Sequence, residues 1–260
     1  MKNLVIGSSG FLGKELVRHL IDNGDEVIEF DIKNGKHEDA RIVDLPLDGV
    51  DRVYFLAWDV GGSKFLYKKD SQLTQMEWNN DLMNKIFPQI MNIPFVFISS
   101  QLADKTDTVY GVQKQMGEVW AKLSTQGVTV RLWNIYGYNE SFTERSHVVS
   151  DFVYQAVVDG EINMLTTGKE LRQYIHIDDV CNGLVKSFDI KDRSKTYDIS
   201  SGKWVELLEL ANMINEETKC KINPGEKHGD SILIDNKEFV PNWNPNISLE
   251  EGIKRMVNKF

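Results

Sequence analysis

The chain is poor in cysteine and proline and has no long apolar run. Two cysteines in 260 residues, Cys181 and Cys220, exclude a disulfide framework, and their separation fits no metal-binding pattern. Six prolines and 19 glycines, with no repeat and no biased segment, exclude a collagenous or low-complexity chain. No apolar stretch approaches the roughly 20 residues that a membrane helix requires, so no membrane partner is expected. Positive charge is in deficit. Against 39 Asp and Glu stand 30 Lys and Arg, a formal net charge of −9. A nucleic-acid partner is therefore not expected, because phosphate backbones are met by basic faces. A negatively charged small substrate remains open, since one arginine reverses the local field. The chain opens directly on a strand with no signal segment, and with free thiols this predicts a cytoplasmic protein.

What is present starts six residues in. Gly7-Ser8-Ser9-Gly10-Phe11-Leu12-Gly13 lies between an apolar strand, Lys2–Ile6, and a helix whose Phe11, Leu12, Leu16, Val17, Leu20 and Ile21 recur at helical spacing. In a chain of this composition such a G-x-x-G-x-x-G arises by chance roughly 0.1 times. Gly7 allows a tight turn, Gly10 lets backbone approach a pyrophosphate, and Gly13 lets helix and strand pack closely. The helix N-terminus then offers free N–H groups and partial positive charge to a phosphate. A second strand, Glu26–Phe30, ends in Asp31, about 20 residues past the glycines, where a carboxylate accepts hydrogen bonds from ribose hydroxyls. That carboxylate repels a 2′-phosphate, so NAD is favoured over NADP, although Lys33 follows closely.

Strand and helix patterns go on alternating. Strands are expected at 41–43, ending at Asp44-Leu45, at 52–57, at 94–98 capped by Ser99-Ser100, and at 128–133. Helices are expected at about 71–91 and 108–126, the second ended by Gly127 as a C′ glycine. The fold class is α/β: a Rossmann-type doubly wound parallel sheet with a small C-terminal α/β substrate-binding domain. The expected division gives 1–140 and about 175–202 to the NAD-binding part, and about 141–174 and 203–260 to the substrate-binding part. An amphipathic helix is expected near 148–158, and Ser248-Leu249-Glu250-Glu251 is a capping box that opens a last helix.

Tyr110 and Lys114 stand at i and i+4 on one helix face. Y-x-x-x-K by itself is weak, with roughly 0.7 chance occurrences here. Its place, after a strand ending in Ser99-Ser100 in a nucleotide-binding sheet, gives it weight. Taking hydride from a carbinol carbon requires removing the hydroxyl proton at the same time. A phenol titrates near 10 and is a poor base at neutral pH. A neighbouring ammonium and a positive nicotinamide ring lower that value. A serine hydroxyl, Ser100 with Ser99 as its rival, holds the substrate oxygen in line.

With these residues the chain resembles the extended short-chain dehydrogenase/reductase family of NAD-dependent nucleotide-sugar epimerases, dehydratases and reductases. Gly7 to Gly13, Phe11 and Leu12 included, matches its glycine loop, and Asp31 its ribose acid. Asp44-Leu45 is similar to its adenine-contacting pair, and Phe55-Leu56-Ala57 to its strand beside the nicotinamide. Asn79 looks like its mid-helix asparagine, and Ser100, Tyr110 and Lys114 match its catalytic trio. Arg131-Leu132-Trp133-Asn134-Ile135-Tyr136-Gly137 is similar to its R-x-x-N-x-Y-G, whose asparagine faces the substrate. The runs 172–180, 197–202 and 243–245 resemble its later motifs. The resemblance implies a nucleoside-diphosphate-sugar substrate gripped by Arg172, with Asn134 and His147 beside it. It also implies a homodimer paired through the helices near 72–91 and 108–126. Asp178 and Asp179 are expected to cap the helix they open, and His176 to be packed.

Departures from the pattern narrow the reaction. Gln101 and Leu102 stand where the resembling 4,6-dehydratases carry an acid/base pair, so dehydration is not expected. Gln101 also replaces the cysteine of the GDP-fucose synthase branch, although Val60-Gly61-Gly62 and His147-Val148-Val149 echo that branch. Chemistry at a sugar C4 through the trio alone remains: a 4-epimerase first, a 4-ketoreductase or 4-dehydrogenase otherwise. A non-enzymatic NAD(P)-binding regulator is the reading from another class, and the retained tyrosine and lysine oppose it. Only ten positions separate Ser100 from Tyr110, fewer than the family uses. Trp58 and Asp59 stand where several epimerases have small residues and a lysine.

Overall fold

Strands apolar on both faces, each followed by a helix with one apolar stripe, can bury themselves only in a parallel sheet sandwiched between helices. The computed structural model describes residues 1–66, 68–140, 142–143 and 145–259. The order is β1 (Lys2–Ile6), α1 (Phe11–Asp22), β2 (Glu26–Phe30), β3 (Arg52–Phe55), α2 (Ser63–Leu66), α3 (Lys69–Ile90), β4 (Phe95–Ser100), α4 (Val109–Lys122) and β5 (Gly127–Leu132). Then follow β6 (Asn134–Tyr136), α5 (Val148–Tyr154), β7 (Glu161–Asn163), β8 (Leu171–His176), α6 (Ile177–Lys186) and β9 (Thr196–Ile199). The chain closes with β10 (Trp204–Glu206), α7 (Leu207–Thr218), β11 (Lys221–Asn223), β12 (Glu238–Phe239) and α8 (Leu249–Val257).

Among the described residues seven parallel strands form the main sheet in the order β12-β9-β5-β4-β3-β1-β2. The chain leaves β1 to one side for β2 and returns on the other for β3. The strand order therefore reverses between β1 and β3, where a doubly wound sheet opens its binding crevice. Alternate residues divide between two cores. Val5, Tyr54 and Val130 pack with Leu16, Leu20, Val180 and Leu184 of α1 and α6. Leu4, Ile6, Phe55 and Phe97 pack with Met83, Ile86 and Phe87 of α3 and with Ala121 of α4. A third cluster joins α5, α7 and α8 through Phe152, Leu210, Ile214 and Ile253. Each such buried side chain contributes about 1.5–3 kcal/mol of transfer free energy.

Local hydrogen bonding overrides three expectations. Residues 41–43 form a turn, not a strand. The Asp39 carboxylate accepts from the Arg41 amide and its guanidinium, which diverts the backbone from a sheet ladder. Gly127 is no C′ residue, because α4 ends at Lys122 and Gly127 begins β5. A Cβ there would lie 2.6 Å from the Ala121 carbonyl oxygen, so the glycine serves the close approach of helix to strand. At α6 the side-chain cap is His176, whose Nδ1 accepts from the Asp178 amide. Asp179 instead accepts from the amides of Asn246 and Ile247, and Asp178 from Tyr138. At α8 the Ser248 hydroxyl accepts from the Glu251 amide, as the capping box predicts.

One buried ion pair ties α4 to the sheet. The Arg131 guanidinium on β5 meets Glu118 at 2.7 and 3.0 Å and Asp104 at 2.7 Å, and Ser99 donates to Glu118 at 2.6 Å. Arg131→Met leaves the Glu118 carboxylate buried with its partner gone and is expected to cost about 3–5 kcal/mol of stability. Arg131→Met with Glu118→Leu should recover most of that loss. Urea denaturation of the three proteins checks both statements; equal losses in single and double variants would refute them.

Candidate active site

The β1–α1 turn is narrower than side chains allow. Gly7 has φ +94°, and a Cβ on it would lie 2.6 Å from the Ala57 nitrogen. A Cβ on Gly13 would overlap the Gly7 carbonyl oxygen. The amides of Leu56 and Ala57 both donate to the Ile6 carbonyl, which draws the ends of β1 and β3 together. No side chain caps α1, whose N-cap is Gly10. Its first amides are therefore left for an anion, as a bound pyrophosphate requires. Residues from this turn line a cleft of about 1060 Å³, the size of a site for a cofactor together with a substrate.

Gly7, Gly10, Phe11, Leu12, Gly13, Asp31, Leu56 and Ala57 all line the cleft, as do Ser100, Tyr110, Lys114, Asn134, His147 and Arg172. Asp44 and Leu45 do not. Asp44 points outward to Lys85 at 2.7 Å with its side chain 86% exposed, and Leu45 is buried in the core. Asp39, Ala40 and Arg41 line the cleft where that pair was expected. The cause is the turn at 39–43, which carries 44–45 past the cleft. The Asp31 carboxylate accepts from the amides of Ser9 (3.0 Å) and Lys33 (2.8 Å), joining the end of β2 to the glycine turn.

Ser100 ends β4 and caps the next turn by accepting from the Leu102 amide at 3.2 Å. Thr108 caps α4 by accepting from the Gly111 amide at 3.0 Å, and so starts the helix one residue before Tyr110. Lys114, one turn further, is buried. Its Nζ donates to the Ile98 carbonyl at 2.7 Å and lies 5.8 Å from the Tyr110 ring centroid. Burial pushes the ammonium well below the ordinary lysine range, against the pull of Glu118. The short passage from Ser100 to Tyr110 fits because residue 111 is glycine. A Cβ there would overlap the carbonyl oxygens of Leu102 and Lys105.

Asn134 donates to the Gln173 carbonyl at 2.8 Å, and Arg172 to the Leu171 carbonyl at 2.8 Å. The His147 Nδ1 lies 2.5 Å from Glu140 Oε1. Asn79 lies outside the cleft lining and grips Asp59, accepting from its amide at 2.7 Å. Sequence reasoning missed Arg41, Glu140, Arg145 and Trp204, all in the lining. Arg145 pairs with Asp59 at 2.7 Å across 86 positions of sequence, a contact with no local signal. Glu140 stands only seven positions before His147, and that acid–histidine spacing in one loop was the available clue.

The family model described as "NAD dependent epimerase/dehydratase family" matches residues 85–200. UDP-glucuronic acid decarboxylase 1 of Arabidopsis thaliana is 24% identical over 100% of this chain and 70% of its own length. A putative UDP-glucose 4-epimerase of Methanocaldococcus jannaschii is 24% identical, covering 98% of this chain and 97% of its own. The solved UDP-glucose 4-epimerase of Thermotoga maritima, with UDP-glucose, superposes with a TM-score of 0.79 at 20% identity, covering 99% of this chain and 98% of that one. The glycine turn, the uncapped α1 and the Tyr110–Lys114 face thus occur together in a chain whose residues 85–200 match the NAD-dependent epimerase/dehydratase family and which is similar over its whole length to nucleotide-sugar enzymes.

Proposed function

We propose that the chain is an NAD-dependent nucleotide-sugar 4-epimerase. The observation that carries this reading is a single cleft lined by the glycine turn, by Ser100, Tyr110 and Lys114, and by Asn134, His147 and Arg172. Gly7, Gly10, Phe11, Leu12, Gly13, Asp31, Leu56 and Ala57 would hold NAD, which when bound would supply the hydride acceptor and donor for the sugar carbon. Tyr110, as phenolate, takes the proton of the sugar hydroxyl and later returns it. Lys114 favours that phenolate by its charge. Ser100 donates to the reacting oxygen and fixes its direction. Arg172 holds the diphosphate with its planar donor fork, and Asn134 and His147 hold the sugar. The segments 141–174 and 203–260 form the substrate-binding part in this reading.

Tyr110→Phe is expected to lower kcat about 10³-fold while the chain stays folded. The check is interconversion of UDP-, GDP- and dTDP-sugars followed by mass spectrometry. Undiminished turnover would end the mechanism. Net consumption of NADH, one per product, would mark a 4-ketoreductase; net formation would mark a 4-dehydrogenase.

Burial opposes the Glu140 carboxylate, but the hydrogen bond and charge of His147 outweigh it and hold the group below its ordinary 4.5. Its contribution to stability is complete above pH 4.5 and is lost as pH falls through the lower folded value. Below pH 4.5 the urea midpoint of the parent chain should therefore fall more steeply than that of Glu140→Gln. Parallel curves would refute the pairing.

Leu73 on α3, Met116 and Val119 on α4, and Leu123 at the C-cap of α4 are exposed apolar residues. They support a homodimer formed through these two helices. Leu123→Glu is expected to give a monomer by light scattering where the parent chain gives a dimer; an unchanged mass would refute the interface.

A further inference from the structure

Trp58 follows Leu56-Ala57 in the cleft lining and stands, with Asp59, where several of the resembling epimerases have small residues and a lysine. Its ring lies against Lys114, with Nζ 3.8 Å from the ring centroid. The indole itself packs edge-on with Phe97 at a centroid distance of 5.7 Å and lies tilted against Phe55 at 6.2 Å. Phe97 offers a second, more distant face to the ammonium at 5.3 Å.

An ammonium carries three N–H donors and no acceptor. At Lys114 the Ile98 carbonyl takes one hydrogen bond. The residue is 4% exposed, so water supplies little of the remaining solvation. The carboxylate that favours its charge, Glu118 one turn on, is already held by Arg131 and Ser99. Asp59, next to Trp58, is paired with Arg145, and Tyr110 lies one turn back on the same helix. The negative face of the indole thus stands where water would solvate an exposed lysine.

We propose that Trp58 is a positioning residue for the proton transfer: its ring face keeps the Lys114 ammonium charged and fixed one helical turn from Tyr110. The proposal rests on the reading of Ser100, Tyr110 and Lys114 as the reacting trio. Burial alone drives a lysine towards the neutral amine. A neutral Lys114 would leave the Tyr110 phenolate without its cation. The ring face therefore acts on the base through the lysine.

The test reads Lys114 itself. Its side-chain ¹³Cε and ¹⁵Nζ resonances in lysine-labelled protein, assigned with Lys114→Arg, give its titration without substrate or turnover. Trp58→Leu is expected to lower the midpoint by about one pH unit, and Trp58→Phe to recover about half of that. The alkaline limb of kcat should move down with it. Fluorinated tryptophan at position 58 keeps the ring's shape while weakening its negative face, so it answers the question even if Trp58→Leu does not fold. The midpoint should fall as fluorines are added. A midpoint indifferent to fluorine, or one that falls as far in Trp58→Phe as in Trp58→Leu, would overturn the proposal and leave Trp58 a packing residue. Undiminished turnover in Tyr110→Phe would instead defeat the trio reading, while the Lys114 titration would stand as measured.

Discussion

The distance between α4 and the sheet governs the rest of the site. Gly117 lets the helix settle onto Phe97, whose ring a Cβ at that position would overlap. Gly111 leaves room for the turn at Leu102–Lys105 above the first helical turn. Glu118 then reaches both Arg131 on β5 and Ser99 on β4. A helix held this close cannot solvate Lys114 with water, so the Ile98 carbonyl and the Trp58 ring stand in its place. The same docking brings Tyr110 into the cleft that Ser100 enters from the end of β4. Helix position, lysine burial and the cleft lining are thus three consequences of one close approach.

The sequence carried the parts of the fold that repeat a local rule. Strands such as Phe95–Ser100 are buried throughout, and apolar as far as Ile98, because both faces of the sheet are covered, and the glycine turn is legible because geometry permits few alternatives there. That Ser100, Tyr110 and Lys114 line one cleft could be read because Tyr110 and Lys114 share one helix face and Ser100 ends the preceding strand. The expectation failed where a side chain captured backbone. Asp39 turned residues 41–43 out of the sheet and carried Asp44 and Leu45 away from the cleft. At α6 the acids looked like caps by position, yet His176 caps and Asp179 anchors residues 246 and 247. Arg145 was invisible because its partner Asp59 is distant in sequence. Periodicity reports burial; it does not report which side chain will bind which amide.

Charge is arranged differently inside the cleft and outside it. The chain carries a net −9, yet cations and acids of the cleft wall are paired: Arg41 with Asp39, Arg145 with Asp59, and His147 with Glu140. Arg145 is half exposed, so its pair contributes little to stability. Its effect is geometric. With the Gly62 amide donating to the Arg145 carbonyl at 2.9 Å, it joins the segment after β3 to the segment before α5. The Glu140–His147 contact fixes the other side of that segment. An anion approaching Arg41, Arg145 or His147 must compete with their carboxylates, whereas Arg172 donates to the Leu171 carbonyl.

The short connection between Ser100 and Tyr110 bears on what can distinguish one sugar from another. Four of its residues, Gln101–Asp104, form a tight turn, and Asp104 is fastened to Arg131 and Lys237. Five residues remain before Tyr110, of which Thr108 caps α4 and Val109 begins it, so only Gln101 and Leu102 of this connection line the cleft of about 1060 Å³. In the proposed reading most contacts to the sugar therefore come from elsewhere in the lining. Trp133 and Trp204 meet edge to face with centroids 5.5 Å apart, and Arg172 and Tyr174 stand on β8 between the strands that carry Asn134 and Trp204. Asn134, Arg172, Tyr174 and Trp204 stand on the strands of a three-stranded sheet, β10-β8-β6, rather than on a loop. Selectivity built on strands depends on fixed shape and not on closure, which makes the β6–β8–β10 face the place where changes in substrate preference should concentrate.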